Sequence, residues 1–112
     1  MLRAGKDARV IYVTVGKLDE AEHIARTLVD EQLAACVNLI PQVRSFYRWE
    51  GAVQDDAEIL LIIKTIEPHL EALEARVNEL HSYDVAEFIA LPVTSGSQAY
   101  LSWLENSVRE RS

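Results

Sequence analysis

At 112 residues, 49% of them hydrophobic and 26% charged, the chain has the size and composition of one packed globular domain, which excludes a disordered or fibrous class. Eighteen acidic residues against eleven basic leave a formal net charge of −7, which repels phosphate backbones and anionic bilayers, so no nucleic-acid or membrane partner is expected. No apolar run nears the roughly 20 residues that cross a bilayer, no amino-terminal stretch has the layout of a secretory signal, and Cys36 is the lone cysteine; the expected compartment is cytoplasmic.

Residues 1–8 show no period and read as a loose end of a single domain spanning 1–112. RVIYVTV, Arg9 to Val15, is β-branched and aromatic and predicts a buried strand. Leu18, Ala21, Ile24, Ala25, Leu28 and Val29 then recur at steps of three and four, a helix over about 18–32. AACVNLI and VRSFYRW predict one long strand kinked or bulged at Pro41, which lacks a ladder N–H. Glu50-Gly51 supplies a turn, and AEILLIIKT, Ala57 to Thr65, returns as the second arm of a long hairpin. Pro68 opens a second helix whose Leu70, Leu73, Val77 and Leu80 share a stripe up to about His81. VAEFIALPV, Val85 to Val93, predicts a last strand, and Ser97 caps a final helix with Leu101, Leu104 and Val108 on one face.

The order β-α-β-β-α-β with an added carboxy-terminal helix is that of an α+β, ferredoxin-like sandwich. Right-handed crossovers put both helices on one face of the sheet. EILLIIK and FIALPV carry too few polar positions to coat the other face, so a second copy of the chain is expected to cover it.

No phosphate-binding glycine loop, GxSxG elbow, HExxH pair or zinc-spaced cysteine pair is present, and no enzyme is expected. Cys36, between alanines and Val37, reads first as a small core residue, with a functional thiol as the alternative. In HSYDVAEF, His81, Tyr83, Asp84 and Glu87 gather imidazole and carboxylates at a helix-to-strand corner, donors that suit copper or zinc. A histidine in the last turn of a helix also favours the negative end of the helix dipole. His23 and His69 read as surface residues. Phe46, Tyr47, Arg48, Trp49 and Glu50 read as cross-strand or interface packing rather than base stacking.

In order and spacing, LAACVNLIP, SFYRWEG, ILLIIKT, ELHSYDVAEFIALPV and YLSWL resemble the CutA divalent-cation-tolerance proteins over about Val10 to Val108. The resemblance implies a homotrimer similar to the PII signalling trimers, a cytosolic location, and a link to tolerance of copper and other divalent ions without enzymatic activity. It implies clefts between subunits lined by Cys36, Trp49, Lys64, His81, Tyr83 and Glu87, with His81, Glu87 and Cys36 as candidate metal ligands. A weakly bound divalent ion, copper first, is expected, and none is required for folding. Family members regarded as copper binders carry a further cysteine and a paired histidine where this chain has Val13 and Leu80, which argues against tight copper binding. The alternative function is a PII-like signalling or scaffold trimer that binds a small molecule or partner protein in its clefts. A catalytic convergence of Cys36, Lys64, His81, Tyr83 and Glu87 is the third.

Overall fold

The computed structural model describes residues 1–108 of the chain. Its elements run β1 (Leu2–Arg3), β2 (Ala8–Val15), α1 (Leu18–Asp30), β3 (Cys36–Trp49), β4 (Ala52–Ile66), a 3-10 turn (Glu67–His69), α2 (Leu70–Leu80), β5 (Ile89–Pro92), β6 (Gly96–Ser97) and α3 (Gln98–Ser107). Strands β3-β4-β2-β5 form one antiparallel sheet in that spatial order, with α1 and α2 in the two crossovers: the ferredoxin-like βαββαβ arrangement.

Strict alternation decides which residues make the core. Ile11, Val13 and Val15 of β2 and Ile59, Leu61 and Ile63 of β4 point to the helices and are buried. They meet Ala21, Ile24 and Leu28 of α1 and Leu73 and Val77 of α2 in one cluster. Arg76 of α2 ties this layer to Glu31 at the end of α1 through two bonds of 3.0 and 2.8 Å, and that guanidinium holds the Glu31 carboxyl below the usual range. Helix α3 packs Leu101 and Leu104 against Ala8 at the far end of the sheet. Its cap is the one expected: the Ser97 hydroxyl accepts the Tyr100 N–H at 3.3 Å.

The opposite face follows from the register, since cross-strand partners share a face. One row reads Cys36, Lys64, Val10, Leu91; the next reads Asn38, Ile62, Tyr12, Ile89; a third reads Ile40, Leu60, Thr14. These residues are half-buried or exposed, although most are apolar. Beyond them the hairpin leaves the sheet, because β2 pairs with Ile59–Ile66 of β4 and no further. The distal part of β3 and β4 is a two-stranded ribbon that exposes Phe46, Tyr47, Trp49 and Val53.

The kink expected at Pro41 is a β-bulge. Ile40 pairs with Leu60 and Val43 with Glu58, so Pro41 and Gln42 together oppose Ile59, with Gln42 at φ 62°. The bulge hides the proline's missing donor and exchanges the faces of everything beyond it. Val43, Ser45, Tyr47 and Trp49 take the face of Glu58, Asp56 and Gln54.

Four expectations are corrected. Residues 1–8 are held: Leu2 and Arg3 pair with Ser97 and Gly96, and Arg3 reaches Glu105 of α3 at 2.7 Å. The hairpin's second arm starts at Ala52 rather than Ala57; the polar VQDD stretch pairs because a solvated ribbon needs no apolar side chains. The last strand contracts to Ile89–Pro92, since residues 81–88 are spent carrying the chain from α2 across the end of β2. His69 is no free surface residue, because its Nε2 contacts the Val108 carbonyl.

Candidate functional site

Where the ribbon leaves the sheet, residues 82–87 fold beside it and form one wall of a half-open cavity of about 820 Å³. Its walls come from the ribbon (Arg44 to Tyr47, Trp49, Glu58), from the end of β2 (Thr14) and from the loop (Ser82 to Glu87). The loop reaches the ribbon through a gap left by Gly16, where a Cβ would stand 2.7 Å from the Tyr83 hydroxyl. Tyr83 donates through that gap to Glu58 Oε2 at 2.9 Å.

Glu58 is the floor. It is only 5% exposed, yet among the described residues its one side-chain hydrogen-bond partner is Tyr83, and no Lys, Arg or His lies within ion-pair reach. Burial first, and then the bond to Glu58 and its charge, push the Tyr83 hydroxyl above the usual phenol range. Desolvation, followed by the same Glu58 charge, pushes the Glu87 carboxyl up. Across the ribbon Tyr47 donates to Asp56 at 2.5 Å, a bond that raises the Tyr47 hydroxyl as well. Arg44 is occupied elsewhere: it binds Asp55 through two bonds of 2.9 and 2.8 Å and lies 5.3 Å over the Phe46 ring.

The six residues expected in one cleft fall into two groups within the chain. Trp49, Tyr83 and Glu87 line the cavity, and His81 stands behind it. His81 is 8% exposed and both its ring nitrogens are engaged: Nε2 donates to the Thr14 carbonyl at 2.7 Å and Nδ1 accepts the Tyr83 N–H at 3.1 Å. This fixes the neutral tautomer with its proton on Nε2 and makes His81 the brace that sets the direction of the Tyr83 loop. Cys36 and Lys64 sit side by side four positions down the sheet, about 13 Å away at 3.3 Å per residue. There the Cys36 thiol faces Asn38 Oδ1 at 3.8 Å, and Lys64 Nζ lies 5.7 Å over the Tyr100 ring.

A divalent ion does not fit the donors of one chain. Among the described residues no group of three or more His, Cys, Asp or Glu side chains is placed to hold one. His81 offers a free nitrogen only if a backbone bond breaks, and Cys36 is remote from Glu87. Sequence reasoning missed Glu58 and Thr14. The only available signal for Glu58 was a lone carboxylate heading the apolar run EILLIIK.

A family model described as "CutA1 divalent ion tolerance protein" matches residues 9–107. "Protein CutA, chloroplastic" of Arabidopsis thaliana is 54% identical over 89% of this chain, which spans about half (55%) of that relative's length. The "Divalent-cation tolerance protein CutA" of Thermus thermophilus is 45% identical over 88% of this chain and 95% of that one. Among solved structures, CutA1 from Oryza sativa superposes with a TM-score of 0.90 at 50% identity, covering 95% of this chain and 97% of that one. A structure from Archaeoglobus fulgidus, at 35% identity and TM-score 0.88, is described as periplasmic. Among the described residues, no helix of this chain is long and apolar enough to cross a membrane. With the family model, the relatives and the fold all in agreement, the chain belongs to the CutA1 divalent ion tolerance family.

Proposed function

We propose that the chain acts in divalent-cation tolerance as a cytosolic homotrimer, and that it binds copper or another divalent ion weakly at sites between subunits. The observation that carries this reading is the uncovered sheet face, where Ile40, Ile89 and Leu91 are exposed beside half-buried Val10, Tyr12, Leu60 and Ile62. Such a face requires a cover, and identical copies around a threefold axis supply it without any other component. Packing there brings Cys36 and the ribbons of neighbouring copies to the boundary, and metal sharing across that boundary fits donors too dispersed to bind tightly within one chain. The role is binding rather than catalysis: the thiol and the imidazole, the nucleophile and base of any covalent scheme, lie too far apart within a chain to act on each other.

Native mass spectrometry of the metal-free protein tests both halves. A trimer that takes up about three copper ions, one per subunit boundary, is expected. A monomer would defeat the assembly, and a trimer that takes up no copper would defeat the metal sites. Chelation is expected to leave Tm unchanged, because the core is apolar and among the described residues no three metal-donor side chains converge. A second reading, a PII-like trimer carrying a small ligand, is favoured by one observation, the cavity over Glu58.

A further inference from the structure

We propose that this cavity binds a small organic cation, an amine or quaternary ammonium group on an apolar body, with Glu58 as its counter-charge and Tyr47, Trp49 and Tyr83 as the rings around it. The inference rests on the small-ligand reading and is independent of metal tolerance.

Four features converge. Glu58 is nearly withdrawn from water without a cation within reach among the described residues, and a carboxylate so placed is stabilised by an incoming positive charge. Arg44, the one cationic side chain in the lining, is neutralised by Asp55. The other charges in the wall, Asp84 and Glu87, are acidic, so the cavity repels phosphates and carboxylates. Aromatic rings stand on both sides, Tyr47 and Trp49 on the ribbon and Tyr83 on the loop, and such rings attract a cation over their faces. A bare metal ion is the poorer occupant, because the space far exceeds one ion and among the described residues no triad of donors converges in it.

The test is calorimetric titration of the chelator-treated full chain with benzyltrimethylammonium, with benzyl alcohol as its neutral counterpart and ATP as an anion. Saturable binding of the ammonium alone is expected. Glu58→Gln, which keeps an acceptor for Tyr83, should weaken it roughly ten- to a hundredfold without changing the oligomeric size. Should Glu58→Gln fail to fold, Trp49→Ala at the exposed ribbon tip should weaken the ammonium about tenfold. Unchanged affinity in the variants, or no ammonium binding, overturns the proposal. If ATP binds instead, the small-ligand reading survives and the cation assignment fails; if none of the three binds, both fail. If none binds and Glu58→Gln dissociates the assembly, the counter-charge belongs to a neighbouring copy, which also overturns it.

Discussion

Gly16 and Tyr83 make a lock-and-gap pair whose energetics are separable. An alanine at 16 would drive its Cβ into the Tyr83 hydroxyl, whereas the nearest ring carbon stands at an ordinary 3.5 Å. Gly16→Ala should therefore break the Tyr83–Glu58 bond and cost about 1–3 kcal/mol in urea denaturation, with a similar loss for Tyr83→Phe. In the Tyr83→Phe background the alanine should be nearly free, so additive losses would show that the hydroxyl is not what the glycine accommodates. The pH dependence has a definite sign. Because the folded state holds the Tyr83 proton more tightly than the unfolded chain, stability is lost as pH rises past the unfolded phenol value of about 10. Tyr83→Phe should flatten that alkaline decline measured between pH 9 and 11. Glu87, also raised, runs the same way at acid pH: its ionised form opposes folding, so Glu87→Gln should stabilise at neutral pH and lose its advantage on acidification. Tyr83 and Glu87 stood out in the sequence because they sit in one contiguous block, though as a cleft residue and a metal ligand rather than as partners of Glu58. Glu58 was not, since its partner is 25 positions away and nothing local separates a buried glutamate from a solvated one.

Hairpin and helices show where sequence patterns inform and where they fall silent. The stripe of α1 and the β-branched run of β2 were read to within a residue or two, because each has one buried face that forces a period. The outer ribbon has no such face, and its VQDD arm was missed for that reason. VAEF, a good strand sequence, became loop because a tertiary demand, the crossing at Gly16, outweighed its propensity. The turn closing the ribbon is local and was readable: Glu50 and Gly51 have φ of 51° and 80°, as a type I′ turn requires. Gly51→Val should cost about 1–2 kcal/mol, visible as a lowered Tm, because a β-branched side chain resists positive φ.

As a body 46 Å long and 21 Å thin, the subunit carries an apolar sheet face and a projecting two-stranded ribbon, which is marginally stable by itself. In the proposed assembly both features would make folding and association one event. Tm should then rise with protein concentration, and Ile62→Asp, in the middle of the uncovered face and outside the helix-facing core, should dissociate the assembly and unfold the subunit together. A folded Ile62→Asp monomer, seen by light scattering, would disprove the coupling. The need for a cover was legible from the excess of apolar residues; which rows form it was not, since that depends on register.

That register hangs on the parity of the count between Cys36 and Trp49. Deleting either Pro41 or Gln42 would leave one residue opposite Ile59, restore regular pairing and keep Tyr47 and Trp49 on the face of Glu58, whereas deleting both would turn them away and put Phe46 and Arg48 in their place. The bulge therefore absorbs the loss of one residue without changing the inside of the pocket, while the loss of both exchanges its inner and outer side chains, so this one spare position acts as a reading frame for the shape of the pocket.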